Sequence, residues 1–434
     1  MRVATLFRYL IGDRRAILAI AGDDRFLVIG LMFVVSAGFA REYDGTDLLS
    51  NPIVVFRPLV ASFLAAGFFQ FVMRAAGVFG KPQPSVQQSP LVAPAAPRTR
   101  PAAVVGFGST LALFWMTAPL AWIYAIPIER FTDPLGATQA NLTALGIVAT
   151  WRVLLMARAL SVLTGYGFFA SLTLVLAFAE AVVLSIGVPA GLLHAVGRGM
   201  AGIRFQSGSD RLVARLVTIT LMSGCATAPV LLILGIWVVV RGPRGERARP
   251  IAKVADGGGL WVLAWASILV WVFVLPSFQA EQRLRVRTES LHHHDVKAAL
   301  ELMSQHTPDD YPPHWEPPPH WDPLDPWVER AIESIEIARE NWVAPWVRQA
   351  YRRKLRVIVD NWGFFDPDIW YRLLELATQY GEQSTATILV AGELRKELAR
   401  STELPPAERA RRQRILDAYE PSRPPSEPSP ETAP

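Results

Sequence analysis

The sequence predicts an all-α protein, a polytopic transmembrane helix bundle followed by a small soluble helical domain. Three observations carry that prediction. Of the 434 residues, 51% are hydrophobic, and the mean hydropathy of +0.25 is high for a water-soluble chain. The apolar residues gather before Pro276, whereas charged, Pro-rich and Trp-rich material follows it. Within the first part, apolar runs recur at close to the length of about 20 residues that a helix needs to cross roughly 30 Å of hydrocarbon.

Residues 1–25 read as a cytoplasmic N-terminal segment, and 26–276 as a bundle of about six helices. Ala103–Pro127, Gly167–Val188, Val217–Val240 and Gly259–Pro276 are the long runs. Phe26–Ala40 and Pro58–Met73 are shorter, with charge close to both ends, and they pair as a hairpin across the polar loop Arg41–Arg57. Phe26–Ala40 also has the length of a signal-peptide apolar region ending in small residues, but its leader is long for that role. Thr143–Leu163 is ambiguous. Arg152 and Arg158 interrupt it, so it reads as an amphipathic or re-entrant helix with Trp151 near the interface, or as a seventh span.

After Pro276 the apolar residues return to helical spacing over 277–420. Val296, Ala299, Leu300 and Met303 share one face, Trp327, Ala331, Ile335 and Ala338 another, and Ile369, Leu373, Leu376, Ala377 and Tyr380 a third. Asp325-Pro326 and Asp366-Pro367 place a capping acid before a first-turn proline. The expected product is a stack of antiparallel helices without a fixed repeat. The segment Lys81–Pro101 and the tail 421–434 have disordered composition.

Composition narrows the chemistry. Cys225 is the single cysteine, which excludes an intramolecular disulfide and a thiolate metal cluster. The net charge of +5 is modest, and many of the basic residues flank apolar runs, where they act as topology signals; no nucleic-acid partner is expected. Phosphate-loop, zinc-pair, nucleophile-elbow and kinase motifs are missing, so no catalytic, cofactor-binding or metal residue is assigned. His292, His293, His294, His306, His314 and His320 cluster, but their spacing fits no zinc motif. The tandem from Pro312 to Pro323 reads as an extended clamp whose Trp315 and Trp321 pack on neighbouring helices.

Three intramembrane charges stand out, Glu180, Arg152 and Arg158. A carboxylate as deep as Glu180 is expensive unless protonated, paired or facing water. One reading is a proton- or cation-handling residue; the other is a buried partner for Arg152, Arg158 or Arg57, or a carboxylic acid held neutral by its surroundings. Pro119, and Pro229 with Gly224 and Gly235, mark places where spans can break. The resulting expectation is a membrane-anchored scaffold or protein-interaction module, in contact with the bilayer and, through its C-terminal domain, with a protein partner. The alternative is a transporter or channel using Glu180. An interfacial enzyme site at Arg41-Glu42-Tyr43-Asp44 ranks third.

Several segments carry a resemblance: Leu6-Phe-Arg-Tyr-Leu-Ile-Gly-Asp-Arg-Arg-Ala-Ile, Ala40-Arg-Glu-Tyr-Asp-Gly with Asp47-Leu-Leu, Leu302-Met-Ser-Gln-His, and Asp310-Tyr-Pro-Pro-His-Trp. Through them the chain resembles a group of bacterial multi-pass membrane proteins without an assigned activity. Its short-looped bundle is also similar to the Yip-type membrane domain, though no residue motif carries that likeness. Both imply the layout above and no mechanism.

With six spans, sixteen Lys and Arg fall on the side of the N-terminus and ten on the other, which places both ends in the cytoplasm. A reporter fused after Pro434 is therefore expected to behave as cytoplasmic; an extracytoplasmic signal would require Thr143–Leu163 to cross as well.

Overall fold

The structure is a computed structural model that describes residues 2–79, 105–201, 208–243, 258–320, 327–360, 367–381, 385–400 and 404–419. The sequence expectations for Lys81–Pro101, Trp321, Asp325, Pro326, Asp366 and the tail from Pro421 lie outside the described residues. Every regular element among the described residues is helical. Packing divides the chain into two compact units, Met1–Pro189 with Arg211–Arg283, and Ala190–Asp210 with Leu284–Pro434.

The first unit opens with α1 (Val3–Leu10) and α2 (Arg14–Gly22). Asp13 starts α2 by accepting the Ala16 N–H at 2.9 Å. Both helices enter the core through Leu6, Tyr9, Ile17 and Ile20, so residues 1–25 hold more structure than a tail would. At the centre lies α3 (Arg25–Glu42), with Phe26, Ile29, Phe33, Ala37 and Ala40 buried. Two of its glycines permit close approach. A Cβ at Gly30 would lie 2.7 Å from that of Trp115, and one at Gly38 would strike the Val55 carbonyl oxygen.

After α4 (Arg57–Ala75), α5 (Phe107–Trp115) stops and the chain continues as a 3-10 segment, Ala118–Ala125. Pro119 sits at its start and cannot donate to the preceding turn. Asp133 accepts the Gly136 N–H at 2.6 Å and, with Pro134 in the first turn, begins the 31-residue α6 (Pro134–Thr164). Gly165, at φ +78°, ends it. Then follow α7 (Phe168–Ala201), α8 (Gly208–Arg241) and α9 (Gly259–His294). Pro229 lies inside α8, and Pro276 inside α9, which continues as helix beyond the point where the composition shifts.

Among the described residues six helical stretches are long and apolar enough to cross a membrane: Pro52–Ala75, Phe107–Arg130, Pro134–Thr164, Phe168–Ser185, Leu212–Arg241 and Gly259–His294. Five overlap the runs read from sequence. The sixth is α6, which contains Thr143–Leu163 and gains length from its capped start. The apolar stretch of α3, bounded by Arg25 and by Arg41 and Glu42, spans only about 22 Å at 1.5 Å per residue. Exposed Met222, Val230, Leu232, Ile233 and Ile236 on α8, with Val262, Trp265 and Phe273 on α9, form apolar surface suited to lipid contact.

The second unit contains α10 (Val296–Ser304), α11 (Trp327–Ile337), α12 (Pro345–Asp360), α13 (Pro367–Gln379), α14 (Thr385–Arg400) and α15 (Pro406–Asp417). The apolar faces read from sequence meet in one core with Ile332, Val347, Tyr351, Leu355 and Trp370. The described part of the proline-rich tandem, residues 312–320, packs within this unit through Trp315 and the Pro317–Pro319 carbonyls. Trp315 stacks on Tyr311 with ring centres 4.2 Å apart, and its Nε1 donates to Glu289 at 3.1 Å. Tyr351 donates to the Pro318 carbonyl at 2.7 Å, while Lys354 Nζ donates to the carbonyls of Pro317 and Pro319. Burial pushes the Lys354 amine down to about 8.

The approach at Gly38 is to a backbone carbonyl that cannot rotate aside. Gly38→Ala should therefore lower the melting temperature of the detergent-solubilised protein by several degrees. Gly108→Ala, in a helix with open space around the new methyl, should not lower it.

Candidate functional site

One group of polar side chains in the first unit gathers where α3 ends, near the 3-10 segment, the start of α6 and residue 279 of α9. The Tyr43–Leu48 turn has no regular structure to satisfy all of its backbone, and two side chains of α9 supply part of what is missing. Gln279 Nε2 donates to the Tyr43 and Thr46 carbonyls at 2.9 and 3.1 Å, and its Oε1 accepts the Leu48 N–H at 2.7 Å. Gln282 Nε2 donates to the Asp44 carbonyl. Tyr43 donates to the Ala125 carbonyl at 3.0 Å and packs edge-on to Phe278 at 4.8 Å.

Beside this turn lies a cavity of about 370 Å³ lined by Arg41, Asp44, Tyr124, Glu129, Thr138, Asn141, Leu142, Leu145 and Val213. Glu129 Oε1 accepts from Asn141 Nδ2 at 2.5 Å. Arg130 turns elsewhere, pairing with Glu281 at 2.7 Å over the Phe278 ring. Burial, and then the Glu129 charge, push the Asp44 carboxyl up to about 6. The segment Arg41–Asp44 stood out in the sequence. Tyr124, Glu129 and Asn141 did not, because no motif or spacing links them to it.

The three charges that lie within apolar runs of the sequence, Glu180, Arg152 and Arg158, are not brought together. Thr227 Oγ1 donates to Glu180 Oε1 at 3.4 Å, and the missing side chain of Gly224 leaves room for that oxygen between α7 and α8. Among the described residues no arginine forms an ion pair with Glu180. Arg158 Nε donates to the Gly12 carbonyl at 3.2 Å, and Trp151 Nε1 to that of Leu10 at 2.8 Å, so this face of α6 reaches the α1–α2 turn. The Nε of Arg152 is buried and makes no hydrogen bond within the described structure.

In the second unit, the described histidines bind separately. His292 meets Ser334 at 2.8 Å, His293 meets Arg330 at 2.9 Å, and His306 and His320 lie near Asp310 and Glu289. Among the described residues no three His, Cys, Asp or Glu side chains are grouped to hold a metal ion. A groove of about 420 Å³ crosses this unit, lined by Glu336, Arg339, Arg372, Glu375, Leu376, Gln379 and Arg411. Arg372 pairs with Glu336 at 2.8 Å, Arg411 with Glu375 at 2.7 Å, and Arg339 donates to Gln379. No family model, curated protein or solved structure matches the chain.

Asp44 gives a signed test. Its folded pKa lies above its unfolded value, so the stability it contributes is present at low pH and lost as pH rises through about 6. Asp44→Asn should therefore be more stable than the parent at pH 7.5, on the order of 1–2 kcal/mol after allowing for solvent screening. The difference should close below about pH 4, and thermal melts at several pH values measure it.

Proposed function

We propose that the protein is a membrane-anchored interaction module. Its apolar helices embed in the bilayer and hold the C-terminal helical unit, a soluble domain at the cytoplasmic face, where it receives an acidic segment of a protein partner. The observation that carries this reading is the groove bearing Arg339, Arg372 and Arg411. Their present partners are side chains exposed enough to exchange, since ion pairs in that setting contribute about 1 kcal/mol or less. Guanidinium forks suit carboxylate recognition. A separate hydrophobic core supports this unit as a domain in its own right.

Transport through Glu180 has less support, because that carboxylate meets Thr227 at the contact between two helices rather than a chain of titratable groups. The resemblance to bacterial multi-pass membrane proteins brings no activity to set against either reading.

A photo-crosslinking residue in place of Gln379, in the intact chain in native membranes, tests the proposal. It should give one discrete protein adduct, lost when Arg339, Arg372 and Arg411 are all changed to Glu. Absence of an adduct, or an adduct indifferent to those charges, contradicts it.

A further inference from the structure

We propose that the cavity beside the Tyr43–Leu48 turn binds an organic ammonium group, seated between the Asp44 and Glu129 carboxylates with its carbon portion against Leu142, Leu145 and Val213. This site shares no lining residue with the groove of the C-terminal unit.

The charge of the cavity favours a cation. Two carboxylates face one guanidinium, and Arg41 is committed elsewhere in part, with its Nε 3.8 Å from Glu42 and its side chain 63% exposed. Arg130 acts on Asp44 from a distance but is held by Glu281 over the Phe278 ring, and neither it nor Arg152, which acts on Tyr124, lines the cavity. Asn141 uses one Glu129 oxygen and holds that carboxylate in place while the other oxygen stays open to a ligand. The hydroxyl of Tyr124 adds a further polar group to the wall.

Size and wall chemistry separate an organic cation from a metal ion. A hard divalent cation takes about six to eight oxygen ligands in a tight shell. Besides two carboxylates this lining offers the neutral side-chain oxygens of Tyr124, Thr138 and Asn141, and at about 370 Å³ it has the volume of an organic-ligand pocket. Leu142 and Leu145 come from α6, and Val213 from α8, so one wall is hydrocarbon, suited to methylene groups. The site is also held in advance of any ligand. Gln279 and Gln282 fix the backbone on which Asp44 sits, so a ligand need not order that turn. An ammonium of this kind comes either from a free small amine or from the ethanolamine or choline headgroup of a lipid.

The test uses the intact purified chain. In detergent, ethanolamine and choline chlorides are titrated against sodium chloride at equal ionic strength while the melting temperature is followed. In parallel, nanodiscs of phosphatidylethanolamine are compared with nanodiscs of phosphatidylglycerol. Stabilisation by the free amines supports the site with a soluble ligand, and stabilisation only in phosphatidylethanolamine supports it with a lipid headgroup. In either case Asp44→Asn and Glu129→Gln should weaken the response at least tenfold. Both substitutions keep side-chain volume, and the amide at 129 still accepts from Asn141, so loss of response without loss of the folded melt is readable. Failure of all these probes to stabilise the parent, or an equal response in both variants, overturns the proposal.

Discussion

A helix that stops inside a bundle leaves carbonyls without partners, and where water is excluded each one must find a donor on another segment or cost about 1–3 kcal/mol. That constraint organises the first unit. The chain leaves α-helical geometry near Trp115, at Ala125 and around Tyr43–Leu48, and side chains from elsewhere donate to carbonyls at these places. Tyr9 donates to Leu113 O at 2.6 Å, Gln70 to Val105 O at 2.9 Å, and Tyr43 to Ala125 O. Ser36 donates to Ser267 O at 2.6 Å and receives the Trp271 indole at 3.1 Å, which joins α3 to α9. Such bonds work with close packing at Gly30 and Gly38, because short donors reach across only where backbones approach.

The same economy positions the chemistry. Gln279 and Gln282 use their amides on the turn that carries Asp44, so a carboxylate whose ionisation opposes folding is held against Glu129 instead of relaxing into solvent. Groups kept at a cost to stability cluster where ligands bind. The deep charge that drew attention in the sequence, Glu180, has a quieter setting, a hydroxyl partner on the neighbouring helix and a glycine that makes space.

How much of this was legible follows from the range of the interactions. Helical class, the apolar runs and the faces of α10, α11 and α13 depend on spacing within one segment, and periodicity reports them directly. The docking of α1 and α2 into the core was not legible, since a basic, 25-residue leader with short apolar runs reads equally as a solvated segment. The settings of Arg158 and Trp151 are backbone carbonyls at Gly12 and Leu10, which no side-chain pattern announces. The cavity joins residues near 44, 129, 141 and 213, and only the packing of α3, α6 and α8 brings them together.

Gln279 is the side chain on which the turn depends most directly, since its single amide satisfies two carbonyls and one N–H of Tyr43–Leu48. Replacing it with Leu keeps the bulk and strands three backbone groups, so the melting temperature of the intact protein in lipid nanodiscs should fall by ten degrees or more. Gln279→Glu should fall less, since its carboxylate still accepts from Leu48. A Gln279→Leu protein that melts with the parent would contradict the claim that buried side-chain donors hold this bundle together.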